Sequence, residues 1–560
     1  MNRESCKLQA VSRRGRQSLR ACAAVLFTLT AYGLPLHSQS TRAERTGYAE
    51  TSTHADVIAF LDSLERAYPG KLARGTIGTS TGGRPIPYVI ASRPLVRTAA
   101  EARATGRPIV YVQGNIHGGE VEGKESVQAL LRDLIRDPRP NALDSIILVA
   151  IPIYNSDGNE VFGPQERQRG AQNGPVSVGQ RPNGQMLDLN RDYVKLEAPE
   201  TRGSLEMFNA WDPDVFVDLH TTNGSFHGYA LTYSPSLHPA AMTSALAPAG
   251  AWTRDTLLPL LRRRMRERRR YETFDYGNFR GEFAEVAVEG RDDPTKLNKG
   301  GWETYEHVPR FGTNYYGLRN RVSVLSEAYS HDPFERRVLA TTAFVSELLS
   351  AVSEQAATVL MRTRGAGPVR SGAAVPIRAA MTRSPFTAPV LVEALINAGD
   401  SVRYEAGLRR GLRRSNVFTA VAMPVYDRFD ATRTQTMPVG WALDPAYPEA
   451  AARLRAHGIR VVALQRARRV RGESFTSDSV IQAARPFQGH REMRLEGHWT
   501  AATLNLPAGT LFISADQPLA LLAMILLEPE SDDGLTTWNF LDAGLGVGKI
   551  HPVRRLLNAP

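Results

Sequence analysis

Between residues 46 and 354 the chain alternates two apolar patterns. Residues 108–113, 146–153, 215–219 and 322–325 are continuous aliphatic and β-branched runs, the mark of strands buried on both faces. Residues 121–136 instead repeat apolar positions at helical spacing (Val127, Leu130, Leu131, Leu134, Ile135), and residues 338–352 do the same. Strands of the first kind alternating with helices of the second predict an α/β sandwich. Past residue 354 the pattern changes, and 362–368 reads as a linker. Beyond it, short strand-like pieces at 390–392, 460–464 and 510–514 accompany a helical stretch at 518–527, which predicts a smaller α+β or β-rich accessory domain over 368–560. That region has no recognisable catalytic motif, and no internal repeat is present.

In open α/β sheets, sites form beyond the carboxyl ends of the strands, so the residues directly after each strand are read first. They are Asn115-Ile116-His117-Gly118-Gly119-Glu120, Asn155-Ser156-Asp157-Gly158, Asp218-Leu219-His220 and Ser326-Glu327. His117 and Glu120, three apart at the mouth of a helix, can converge from one turn, and His220 follows a different strand. Two imidazoles and a carboxylate suit a borderline divalent cation with one coordination position left open, the arrangement a zinc hydrolase needs. Gly118-Gly119 permits a tight turn and close backbone approach.

Composition narrows the chemistry. At 560 residues, 42% hydrophobic and 22% charged, the chain is an ordinary globular protein with enough length for two domains. Arg3, Lys7, Arg13, Arg14, Arg16 and Arg20 precede an apolar run over 21–36 that ends in small polar residues. This layout predicts a cleavable signal peptide over 1–40 and a secreted or periplasmic product. The run is shorter than the roughly 20 residues that span a bilayer, and no later segment reaches that length, so no integral membrane association is expected. Both cysteines, Cys6 and Cys22, fall in the leader; the mature chain then has no disulfide and no thiolate, and a metal must use His, Asp or Glu. Losing the leader takes five of the formal +11 charges and leaves +6, a mild basicity. The dense Arg262–Arg270 cluster lacks aromatic interleaving and reads as a solvated helix face, and no nucleic-acid partner is expected.

Taken together, His117-Gly118-Gly119-Glu120, Asp188-Leu189-Asn190-Arg191, Asp218-Leu219-His220 and Ser326-Glu327 resemble the zinc carboxypeptidase family, the carboxypeptidase A-like metallopeptidases of the bacterial exported branch, in order and spacing over residues 46–355. The resemblance implies a mixed, largely parallel sheet sandwiched by helices, and one zinc ion per catalytic domain held by His117, Glu120 and His220. It implies that Glu327 is the general base toward metal-activated water, that Asn190 and Arg191 clamp the terminal carboxylate of a peptide or protein substrate with a free C-terminus, and that Asp188 orients a ligating imidazole. Arg181 is implied as the oxyanion cation, with Arg169 as its rival and Arg167 a weaker one. The mobile tyrosine of the family has three candidates, Tyr305, Tyr315 and Tyr316, for which packing is the better reading. The expected activity is hydrolysis of C-terminal peptide bonds. Relatives of the fold also include amidohydrolases acting on cell-wall peptides or N-acyl amino acids, and a non-catalytic binding protein is the remaining alternative. The chain departs from the family pattern at Asp192-Tyr193, which places a negative charge next to the clamp, and at Ser156. His227 is read as a loop-stabilising histidine.

Overall fold

A computed structural model describes residues 39–280, 300–397 and 412–560; most of the expected signal peptide lies outside them. The amino-terminal half is organised on an eight-stranded sheet. In chain order its strands are β1 (Leu72–Thr79), β2 (Pro85–Ala91), β3 (Ile109–Gly114), β4 (Ile147–Ile151), β5 (Val215–Thr221), β6 (Leu231–Pro235), β7 (Thr273–Asp275) and β8 (Val322–Ala328), and in space they run β1-β2-β4-β3-β5-β8-β6-β7. The central strands β4, β3, β5 and β8 are mutually parallel, while β1, β2 and β6 pair antiparallel, so the sheet is mixed.

The four sequence runs become the four parallel strands because every residue of β3, β4, β5 and β8 is buried. Only a sheet covered on both faces accepts continuous apolar strands. Helices α1 (His54–Ala67), α2 (Glu122–Arg136), α3 (Pro199–Trp211) and α4 (Phe334–Glu354) supply the cover. One apolar layer joins Val110, Val112, Val215, Val217 and Val324 to Leu61, Leu131 and Leu348; the other gathers Tyr111, Phe216 and Phe208. The alternation of the pleat sends odd and even strand residues to opposite layers.

The carboxyl-terminal region is richer in long strands than its sequence pattern indicates. β9 (Ala374–Thr382) pairs with β12 (Arg428–Thr436), and β10 (Thr387–Asn397) pairs with β11 (Leu412–Tyr426). A further antiparallel sheet contains β13 (Gly440–Leu443), β14 (Arg468–Gln482), β15 (Met493–Leu506), β16 (Leu511–Ser514) and β17 (Ile550–Leu556). The expected helix is α5 (Ala520–Leu527), buried along its whole length. The largest apolar cluster runs unbroken from Ile86, Tyr111 and Tyr316 to Trp441, Leu522 and Trp538, so the two regions share a core.

Two features at the surface bear on the sequence reading. The Arg262–Arg270 face is laced with ion pairs, Arg266 to Glu272 at 2.7 Å and Arg269 to Glu347 at 2.8 Å, while Arg262 stacks on Phe274. Among the described residues, no helix is long and apolar enough to cross a membrane.

His490, in the loop between β14 and β15, joins the two regions through Glu197: its Nε2 lies 2.8 Å from Glu197 Oε1, and its Nδ1 lies 3.2 Å from Asn539 Oδ1. Two oxygen acceptors favour the imidazolium. The Glu197 hydrogen bond raises His490 from 6.5, and although burial opposes it, the imidazole holds Glu197 below 4.5. A raised histidine stabilises below its unfolded pKa and loses that contribution as pH rises through the folded value; the depressed carboxylate contributes above its own unfolded pKa. The pair is therefore strongest between the two ordinary values. His490→Gln should lower the melting temperature most near pH 5.5, by the equivalent of about 0.5–1 kcal/mol, and the difference from the parent should fade by pH 9 in a series of thermal melts.

Candidate metal centre

Three adjacent parallel strands deliver the site. β3 ends at Gly114 and is followed by the loop that carries His117 and Glu120 into α2; β5 carries Asp218 and His220; β8 carries Glu327 in register directly beside His220. The β3 loop turns at Asn115, whose φ of 65° is left-handed, a conformation asparagine tolerates better than most residues. Its side-chain amide donates to the carbonyls of His117, Gly118 and Glu120 at 3.2 Å each. The turn the sequence suggests at Gly118-Gly119 is thus made at Asn115. Gly118 serves close approach instead, since a Cβ there would sit 2.3 Å from the backbone carbonyl carbon of Gly158.

His117 Nδ1 lies 2.9 Å from Glu120 Oε1 and His220 Nδ1 lies 3.0 Å from Glu120 Oε2, with the two rings 5.0 Å apart. All three residues are buried, and their donor atoms fall within 4.8 Å of one another. Each imidazole has an aspartate behind it: His117 Nε2 is hydrogen-bonded to Asp188 Oδ1 at 3.0 Å, and His220 Nε2 is within ion-pair distance of Asp218 Oδ2 at 3.0 Å. Carboxylates on the far ring nitrogens set tautomer and basicity in histidine metal sites. Gln113 steadies Asp218 in turn, donating Nε2 to Oδ1 at 3.0 Å. The role of Asp218 is absent from the sequence reading, although its signal was available: residues two apart on a strand share a face.

Burial pushes Glu120 upward, but His117, Arg169 and hydrogen bonds from both imidazoles hold it well below the usual carboxylate range. Burial likewise opposes charge on His220, yet Asp218 and Glu120 outweigh it and raise the imidazole well above its ordinary value. Asp188 is depressed despite its burial by His117, Arg181 and Arg191. Glu327 behaves oppositely. Burial pushes it up to about 8 against the attraction of His220, and its buried Oε2 has no hydrogen-bond partner among the described residues. Two imidazoles and a carboxylate, each oriented from behind, together with an unsatisfied carboxylate oxygen at their side, fit a zinc ion by donor chemistry.

The cluster opens into a cleft of about 430 Å³ lined by Arg181, Asn190, Arg191, Tyr276, Tyr305, Phe311 and Glu327, among others. Asp188 accepts from Asn190 N–H at 3.0 Å and so caps the tight turn Leu189–Arg191. Asn190 Oδ1 accepts from Gly312 N–H at 2.9 Å, which leaves its NH2 group as the donor end. The Arg191 guanidinium lies 4.0 Å over the Phe311 ring, a contact that fixes its plane. Arg181 reaches the cleft while ion-paired to Asp188 at 2.9 Å and to Glu120 Oε1 at 3.4 Å.

Arg169, the rival of Arg181, has its donors engaged: one goes to Glu120 Oε1 at 2.9 Å, and two to the carbonyls of Thr221 and Thr222. Asp192 is fully buried and turned from the cleft, accepting from Glu197 and Ala198 N–H. The negative charge expected next to the clamp is thereby directed into a backbone cap. Of the three tyrosines, Tyr315 and Tyr316 are buried in the core and Tyr305 lines the cleft. Tyr276, which the sequence reading missed, packs edge-on against Tyr305 at 5.7 Å. His227 is buried, packs 4.3 Å from the Tyr329 ring and accepts from Tyr229 N–H; burial drives its pKa down to about 3.

Fold and site together define an α/β protein with a candidate divalent-metal centre at the carboxyl ends of its central strands. Residues 57–244 match the family model for zinc carboxypeptidases. Carboxypeptidase 2 of Trichophyton tonsurans is 22% identical over 573 residues, covering 93% of this chain and 97% of its own. Carboxypeptidase 2 of Trichophyton rubrum is 22% identical over 582 residues, covering 94% and 99%. Among solved structures, a metallo-carboxypeptidase from Burkholderia cenocepacia is similar with a TM-score of 0.38 and 16% identity, over 55% of this chain and 70% of that one.

Proposed function

We propose that the protein is an exported zinc metallocarboxypeptidase that removes the last residue of a peptide or protein. The observation that carries the reading is one cleft holding both the His117-Glu120-His220 cluster and the Asn190-Arg191 pair. A hydrolytic centre with a carboxylate clamp beside it selects the end of a chain over its middle.

His117, Glu120 and His220 would hold the ion. When bound, zinc supplies Lewis acidity toward a carbonyl oxygen and lowers the pKa of water. The protein's own residues do the rest. Arg191 presents a planar fork to the terminal carboxylate, and Asn190 adds a directed donor. Phe311 beneath the guanidinium restricts its swing. Glu327 takes a proton from the attacking water at its free oxygen and returns it to the leaving amine; a carboxyl poised close to neutrality can do both. Arg181, in the cleft and oriented by Asp188, offsets charge developing on the carbonyl oxygen, a contribution of a few kcal/mol where water is excluded. Both arginines reach Glu120, but Arg169 is also held by two backbone carbonyls, which supports Arg181 for this role.

A peptide and its C-terminally amidated twin test the reading. The free acid should be cleaved at least about 100-fold faster in kcat/KM, because the amide removes the charge that Arg191 pairs with and leaves that guanidinium poorly matched. Equal rates measured by liquid chromatography would remove the clamp and turn attention to amide substrates without a terminal carboxylate.

A further inference from the structure

The residues that follow the strands do not build the cleft by themselves. Met381, near the end of β9, also lines it, although it stands in the region expected to be an accessory domain. The cleft wall from Trp302 to Phe311 is tied to that region at both ends. At one end Trp302 and Glu303 pair in parallel with Val425 and Tyr426 of β11, and Thr304 N–H donates to Tyr426 O at 3.0 Å. At the other, His307 lies 3.1 Å from Asp532, and Arg310 pairs with Asp533 at 3.0 Å and with Glu492 at 2.7 Å.

Met381 hangs from the same anchors. Asp532 Oδ2 accepts from Ala379 N–H at 2.9 Å, two residues before Met381 on one strand. Met381 is in register with Phe429, whose ring lies 4.8 Å from His307. Its position relative to the wall is therefore set by strand pairing and a partly buried polar network and not by a free loop.

We propose that Met381 is a specificity-determining residue, supplying apolar surface to the substrate side chain adjoining the clamped carboxylate. The proposal rests on the carboxypeptidase reading above. Phe311, Leu325 and Tyr305 give the cleft further apolar lining. An unbranched thioether with three rotatable bonds adapts to aliphatic and aromatic shapes alike. Of the two carboxylates on the wall, Glu303 is already paired with Arg280 at 2.9 Å, and Glu306 is exposed. Glu303 is therefore occupied, and Met381, Phe311 and Leu325 supply the apolar surface that an apolar end residue would meet.

The test uses the full chain and four peptides that differ only in the last residue: Leu, Phe, Lys or Glu. The parent should prefer Leu and Phe. Met381→Asp should lower kcat/KM for these two by roughly tenfold through KM, the scale of losing apolar contact with a side chain, while Lys is unaffected or improved. Met381→Leu should stay within about twofold on every peptide, and zinc content should equal the parent's in both variants. Should the Asp variant not fold, Met381→Thr is read in the same way. A uniform loss across all four peptides, no loss on Leu and Phe, or a parent that prefers Lys overturns the assignment of Met381. A parent that cleaves none of the four removes the carboxypeptidase reading itself and this assignment with it.

Discussion

Glu327→Gln is expected to lower kcat by about 10²–10⁴-fold, the range associated with a positioned proton-transfer group, while zinc content stays at one ion per chain. The amide keeps the size and the polar outline of the carboxyl group but cannot accept a proton from water. Glu327 lies beside His220 across adjacent strands without belonging to the cluster that gathers at the metal position, so the ligands should be undisturbed. Its burial and its partnerless Oε2 also make the substitution mild for the fold: the glutamine removes a desolvated carboxyl and leaves no charge behind. KM should change little, since binding is assigned to Asn190 and Arg191. Steady-state kinetics paired with metal analysis checks both halves; a variant as active as the parent ends the role of Glu327 as base.

The second large effect is expected at a ligand. His220→Ala should abolish zinc binding and activity together, and it should also destabilise the protein by about 3–5 kcal/mol, the scale for removing one partner of a buried ionic cluster. His220 stands between Glu120 and Asp218, both essentially inaccessible to solvent. Without the imidazole Glu120 keeps His117, Arg169 and the Thr221 N–H, and Asp218 keeps Gln113, but the positive charge between the two buried carboxylates is lost and one of them must take up a proton or draw in water. Removing zinc from the parent with a chelator should abolish activity with a smaller fall in melting temperature, because the imidazoles and their aspartates stay in place; zinc should then restore turnover. A His220→Ala protein that keeps stoichiometric zinc and full activity would show that the metal sits elsewhere.

The parallel strands and their flanking helices were legible because burial on both faces leaves a plain mark, an unbroken apolar run set against a 3.6-residue period. The cluster was legible for a related reason: chemistry in such folds gathers at the carboxyl ends of strands, and His117 and Glu120 follow one of the most apolar strands while His220 lies near the end of another. The long strands β14 and β15 were not legible. They are exposed over much of their length and form by cross-strand pairing, so they carry no strong two-residue period. The choice of Arg181 over Arg169 comes from the family resemblance alone and not from residue pattern. Arg169 and Arg181 are alike in one dimension, and only packing assigns the first to Glu120 and two carbonyls.

Local sequence, through hydrophobic periodicity and the residue types at the strand ends, determined the α/β architecture and the His117-Glu120-His220 cluster that could hold one divalent ion. Tertiary structure alone decided that Asp218 backs His220, that Asp192 turns inward to cap a backbone turn, that Tyr276 and Phe311 face the cleft, and that Met381 joins them from far along the chain. The physical reason is range: periodicity and turn chemistry act over a few neighbouring residues, whereas a cleft wall is composed by strand pairing and ion pairs between segments separated by more than a hundred.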